Sequence, residues 1–385
     1  YNSGLERIII DISEFRRQEF EQREKRLPYI KKQTLVIQKK KKEKLHIVYV
    51  MTHVGICGGT KIILQHANLL SDLMQQVTLI SHFDKPNWFP ISDNVQYLQI
   101  PFSKELAEGI PPCDVIIATY WREISECVAR KLAPVIYFEQ GDYHLFDWEN
   151  VSDREKKYIF SQFQLPDFLF TVSSGAALQI KKLFGRDSKV IHNGIDHNIF
   201  YPSTEISAKN DSLHIMTIGS ENSLFKGISG IKKALQILNA KGIPYEFIWV
   251  TPDTPQAAMG YIYVNPPQFK IASLLRTSDI YICNSLFESF SLPVLEAMTC
   301  GCAVITSENS GVKEYATDRE NCLMVKMNSP KDIADKIIEL HRNPDLRKLL
   351  IEKGNETADS YDWKNLAPQI LAYYNEIAEY SPLQS

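Results

Sequence analysis

One stretch constrains this chain more than any other: DIYICNSLFESFSLPVLEAMTCGCAV, residues 279–304. Its apolar opening (279–284) reads as a buried strand. A short loop follows, then a helix opened by Pro293 and closed near Gly301, then a second strand; proline suits a first helical turn and glycine suits the exit. Two carboxylates bracket the loop and helix, Glu288 before the helix and Glu296 within its first turn, eight positions apart. Strand, loop, helix and strand make the repeating unit of an open parallel α/β sheet, which binds ligands at the carboxyl ends of its strands. The N-terminus of such a helix offers free backbone N–H groups and the positive end of a dipole. For two glutamates alone, the plainer reading is a capped surface helix and a loop charge.

The rest of the chain from Leu45 repeats this pattern. LHIVYVM is a buried strand, THVGICGGT a loop, about 61–74 a helix, and VTLIS the next strand. Further strands are expected at 95–100, 114–119, 134–140 and 168–172, the third of them followed by the polar and aromatic loop EQGDYHLFDWE. The second half starts with a strand over 213–219 and the loop SENSLFKG. YEFIWV, YIYV, DIYICN, AVITS and CLMVK supply its other strands, with helices over 331–341 and 344–353 and a last amphipathic helix from YDWKNLAPQILAYYNEI. Gly58-Gly59 alone marks only a tight turn or a phosphate-binding loop; it is neither a dinucleotide fingerprint nor a P-loop.

With 385 residues there is room for two domains. A net charge of -3 argues against a nucleic-acid partner. Seven cysteines without paired spacing fit reduced thiols in a cytoplasmic enzyme. No apolar run approaches the roughly 18–20 residues of a membrane helix. Residues 1–44 stand apart as a charged arm: a helical pattern with Ile9, Ile12, Phe15 and Phe20, then KKQTLVIQKKKKEK. A solvated linker is its plain reading; the alternatives are an arm packed on the body and a basic segment drawn to anionic lipid at the inner face of the membrane. A chain opening on Tyr1 reads as a piece of a longer polypeptide.

The segment 288–301 resembles the donor-site signature of the retaining family-4 glycosyltransferases, E-G-F-G-L-P-x-x-E-A-M-x-x-G. Glu288, Phe290, Leu292, Pro293, Glu296, Ala297, Met298 and Gly301 stand in register, with Ser289 and Ser291 where glycines are usual. KVIHNGIDHNIF (189–200) is similar to the family's V-I-x-N-G-x-D-x-x-x-F at Gly194, Asp196 and Phe200; read by itself, Asn193-Gly194 is a tight turn.

The resemblance implies an α/β protein of the GT-B fold: two Rossmann-like domains with parallel sheets facing across a cleft and a C-terminal helix crossing back to the first. Its boundaries are an arm (1–44), an acceptor domain (45–200), a nucleotide-sugar donor domain (201–364) and the returning helix (365–385). The implied reaction is retaining, metal-independent transfer of a sugar from a nucleotide-diphosphate-sugar, with no further cofactor. Acceptors would be carbohydrate, lipid-linked or protein, in polysaccharide or glycoconjugate synthesis, with peripheral membrane contact through the basic segment and no nucleic acid.

Glu288 would hold the transferred sugar's hydroxyls and Glu296 the ribose. Lys226, the Gly58-Gly59 loop and backbone N–H groups near Phe290, Ser291 and Leu292 would hold the diphosphate. Where the family has a His-Asp pair, this chain has Gly141-Asp142, and His144 is the candidate imidazole beside the anomeric carbon. The family's arginine, five residues before the lysine, is here Glu221; Arg122 and Arg276 are the candidate replacements. A non-catalytic partner subunit and a nucleotide-sugar 2-epimerase are the alternative readings.

Overall fold

The computed structural model describes residues 17–18, 20–38, 42–202 and 212–383. The chain divides into two compact units. The first comprises the described residues up to Thr171, then Ala177–Lys189 and the chain from Gln369 on; the second comprises Val172–Ala176 and Val190–Pro368.

Strand β1 is Leu35–Ile37. The sheet of the first unit is made of β2 (His46–Val50), β3 (Gln76–Ser81), β4 (Val95–Gln99), β5 (Val115–Ala118), β6 (Val135–Glu139), β7 (Phe168–Thr171) and β8 (Lys189–Val190). Their order is β4-β3-β2-β5-β6-β7-β8, parallel from β4 through β7. β5 and β6 are buried along their whole length and β2 from Ile47 on. Such continuous apolar runs, without polar alternation, belong to strands covered on both faces. Because the chain starts at β2, adds β3 and β4 on one side and then returns to place β5 on the other, the direction of winding reverses between β2 and β5.

The charged arm is part of this unit. Arg23 is 3 % exposed, with Nη2 2.9 Å from Glu126 and Nη1 3.8 Å from Glu123. The Phe20 ring packs 4.8 Å from that of Tyr158, and the Gln33 amide bridges the Ala133 carbonyl and the Val135 N–H. β1 pairs antiparallel with β15 (Tyr380–Pro382), Leu35 opposite Pro382. The linker reading therefore fails for residues 20–37: two buried carboxylates and an open strand edge need partners, and the arm supplies them. Ile9, Ile12, Phe15 and Lys39–Lys41 of the basic run lie outside the described residues, as does 203–211 of the stretch between the halves. Among the described residues no helix is long and apolar enough to cross a membrane.

The second unit repeats the plan with β9 (Leu213–Ile218), β10 (Tyr245–Thr251), β11 (Tyr261–Val264), β12 (Ile280–Cys283), β13 (Ala303–Ser307) and β14 (Leu323–Val325). The order is β11-β10-β9-β12-β13-β14, all parallel, so winding reverses between β9 and β12. Ile215, Trp249, Ile282 and Ile305 from the sheet pack with Leu235, Leu238 and Ile337 from the helices Ile228–Ala240 and Pro330–Arg342. Gly194, expected at a tight turn, serves close packing instead: a Cβ there would lie 2.6 Å from the Trp363 ring at the start of the helix Trp363–Ile377. From Gln369 that helix belongs to the first unit, where the Tyr374 hydroxyl lies 3.0 Å from that of Tyr49.

Candidate functional site

In doubly wound sheets the crevice opens where the winding reverses, outside the carboxyl ends of the two strands concerned. In the second unit those strands are β9 and β12, and their loops are tied together. Asn284 Nδ2 donates to the Gly227 carbonyl at 2.9 Å, and the Leu286 N–H to the Phe225 carbonyl at 2.7 Å. Gly227 has φ +64°, and a Cβ there would sit 2.2 Å from the Asn284 carbonyl oxygen, so only glycine allows the approach. The turn Leu224–Lys226 that precedes it delivers the Lys226 Nζ to 2.6 Å from Glu288 Oε1. Burial works against the ammonium, but Glu288 outweighs it and holds the Lys226 pKa above its ordinary value.

The next helix is Leu292–Thr299. It begins one residue before Pro293, so Glu296 opens the second turn rather than lying in the first, and it is 5 % exposed. Ser291, where the resembled motif has glycine, sits in the left-handed region (φ 60°, ψ 62°) and gives the helix no side-chain cap. Its carbonyl accepts from the Tyr315 hydroxyl at 2.8 Å. Phe290 turns inward, its ring 5.5 Å from Tyr315 and 5.7 Å from His192. The loop is thus anchored through Phe290 and Ser291, while Lys226 and Glu288 stand at the mouth beside the helix N-terminus. A cation, a carboxylate and free N–H groups so arranged can hold an anion and an adjacent polyol together.

Other expected residues are placed differently. Glu221, at the position of the absent arginine, accepts from Lys232 Nζ at 2.8 Å and from the Gln256 N–H at 2.5 Å. Lys232 lies over the Trp249 ring at 4.4 Å, and Glu221, Asn222, Ser223, Lys232 and Gln256 line a cavity of about 250 Å³. Sequence reasoning missed Lys232; followed by Lys233 in the helix Ile228–Ala240, it reads as an ordinary surface lysine. Arg276 cannot replace the arginine. It ends the helix Gln268–Arg276 just before β12, at the amino edge of the sheet, bonded to the Ile199 carbonyl at 3.2 Å and stacked on Tyr201.

In the first unit Gly58 and Gly59 are not loop residues; they open the helix Gly58–Asp72, with extended Cys57 as its cap and the Cys57 Sγ accepting from the Thr60 N–H. Their N–H groups fall among the unpaired donors of a first helical turn. His144, expected from the loop after β6 as the imidazole beside the anomeric carbon, has no exposure at all. It lies in the short helix Tyr143–Phe146 with Nε2 2.7 Å from Glu139 Oε2, which also accepts from the Tyr137 hydroxyl at 2.5 Å. Burial pushes the Glu139 carboxyl up, but His144, Tyr137 and the Gly141 N–H outweigh it, and its pKa stays below the ordinary value. The imidazole is a core group here because Glu139, at the buried end of β6, requires a partner.

Residues 261–357, which contain Glu288 and Glu296, match the sequence model of the family described as glycosyl transferases group 1. This stretch, about a quarter of the chain, is similar to the group 1 glycosyltransferases. An uncharacterized glycosyltransferase of Methanocaldococcus jannaschii is 31 % identical over 110 residues, covering 29 % of this chain and 31 % of that protein. A phosphatidyl-myo-inositol mannosyltransferase of Mycobacterium leprae is 31 % identical over 108 residues, 28 % of this chain and 29 % of its own length. The matches thus span about a third of these relatives.

Solved structures match the chain over far more of its length. The sucrose-phosphate synthase of Thermosynechococcus elongatus has a TM-score of 0.70 at 17 % identity, over 86 % of this chain and 98 % of that one. Anabaena HepE in complex with UDP-glucose has a TM-score of 0.72 at 16 % identity, over 86 % and 100 %. The fold is α/β of the GT-B class.

Proposed function

We propose that the chain transfers a sugar from a nucleotide-diphosphate-sugar to a hydroxyl of a carbohydrate, lipid-linked or protein acceptor, with retention at the anomeric carbon and without a metal ion. The observation that carries this reading is the Lys226–Glu288 pair at the winding reversal of the second sheet, beside the helix Leu292–Thr299. On donor binding the Lys226 ammonium passes to the diphosphate and frees Glu288 for the sugar's hydroxyls. The helix N-terminus adds N–H donors to the same phosphates, and Glu296 takes the ribose hydroxyls. Gly58 and Gly59 offer N–H groups for an anion on the first unit. The acceptor oxygen bonds to the anomeric carbon as the bond from that carbon to the phosphate oxygen breaks. The electron pair stays on the diphosphate, whose oxygen takes the acceptor's proton, so no side chain acts as base. Fixed cations at the departing charge are often the largest catalytic contribution.

The test is release of free nucleoside diphosphate from a panel of sugar nucleotides, with Lys226→Ala alongside. Release from one donor, lost in the variant, supports the reading and names the sugar. Two observations favour a second reading, a non-catalytic partner subunit: a carboxylate at position 221 and the buried His144. Neither release nor nucleotide binding from any donor would leave that one standing.

A further inference from the structure

The winding reversal of the first unit lies between β2 and β5, and one side chain there has so far been considered only as a replacement for the absent arginine. Arg122 follows β5 in the turn Trp121–Glu123. Its guanidinium carbon lies 4.9 Å from the centroid of the buried Trp121 ring and 5.9 Å from that of Tyr120. Its Nε is buried without an acceptor, and among the described residues no carboxylate pairs with it. The nearest acids in sequence are engaged elsewhere: Glu123 accepts from Thr52 at 2.6 Å and faces Arg23, and Glu126 bonds Arg23 at 2.9 Å. The arm thus takes up both of these carboxylates.

The surroundings are those of a carbohydrate site. The Tyr120 hydroxyl donates to Asp142 Oδ2 at 3.1 Å, and Asp142 is exposed after β6. Tyr143, beside it, donates to Glu155 at 2.6 Å. Burial raises both phenols above their ordinary pKa, with Arg122 close enough to pull against that rise. A planar cation on an aromatic shelf matches a phosphate or carboxylate; a tyrosine edge and an exposed carboxylate, held by the Tyr120 hydroxyl and the Tyr143 N–H, match neighbouring sugar hydroxyls and a sugar face.

We propose that Arg122, with Tyr120 and Asp142, binds the anionic group of an acidic sugar acceptor, a sugar phosphate or a uronic acid. This rests on the transferase reading, since it names the class of its acceptor. The full chain is titrated with glucose 6-phosphate, glucuronate and glucose, and in parallel with UDP, as wild type and as Arg122→Gln. One charge-assisted contact predicts roughly ten-fold or more preference for an acidic probe over glucose. Phosphate and carboxylate are told apart by which acidic probe binds. Arg122→Gln removes the preference, and UDP affinity stays within about two-fold. A wild type without preference, or a variant that keeps it, overturns the proposal. Loss of UDP affinity in the variant also overturns it, placing Arg122 on the donor's diphosphate. A wild type that binds an acidic probe but not UDP would instead strike at the donor reading and leave Arg122 standing.

Discussion

The two units wind their sheets in the same sense and open a crevice at the same place, yet they settle the charges there by opposite means. In the second unit cation and carboxylate come from the two loops that form the crevice, Lys226 against Glu288, so the charge is stored inside the site. In the first unit the acids beside the crevice, Glu123 and Glu126, pair with Arg23, 100 and 103 positions upstream, while Arg122 has no carboxylate partner among the described residues. Topology decides where a ligand goes. The origin of the counter-charge decides whether the site rests closed on itself or holds a standing charge.

The contrast can be broken at its remote end first. Arg23→Ala strips a buried carboxylate of its partner and should cost the protein about 3–5 kcal/mol, read as a lower urea midpoint. An unchanged midpoint would mean that the arm is an ornament of the first unit. At the local end, Lys226→Ala should lower donor turnover by about 10²–10³-fold while the urea curve barely moves, since both partners remain partly open to water.

A third test uses pH. His66 is buried against Phe138 in the first unit, and burial lowers its pKa to about 3. The unfolded chain binds that proton near 6.5, so between 6.5 and 3 the unfolded state holds more protons. Stability from this group is complete above 6.5 and falls as pH drops, by about 1.4 kcal/mol per pH unit at most. His66→Phe should flatten that slope in unfolding curves taken from pH 7 to 5; an equal slope in both proteins would refute it. The smallest effect belongs to Ser291. Removing a left-handed serine by Ser291→Gly should raise the urea-measured stability by up to about 1 kcal/mol, and a loss of stability would show that the serine side chain holds the loop.

These differences track what could be read in advance. Every strand and helix expected from Leu45 onward is present, because buried parallel strands and their helices write themselves as contiguous apolar runs and punctuation. Glu288 and Pro293 were legible because they share one short stretch, whereas the approach of Lys226 to Glu288 spans 62 positions and was not read from the residues alone. Arg23 was not: an arginine in a charged helix looks solvated, and its partners lie about a hundred residues away. His144 misled for the same reason, since the demand for it comes from Glu139, whose burial is a property of the sheet. Gly58 and Gly59 were read as loop because glycine is a poor helix former, and Cys57 is an uncommon cap.

The pairing of β1 with β15 bears on the order in which the chain is made. All of Val190–Pro368 is synthesised before Gln369, yet β15 and the Tyr374 end of the last helix complete the first unit. The first unit therefore receives the partner of β1 and a core tyrosine only after every residue of the second unit has been joined. The half begun first is the half whose last residues are joined last.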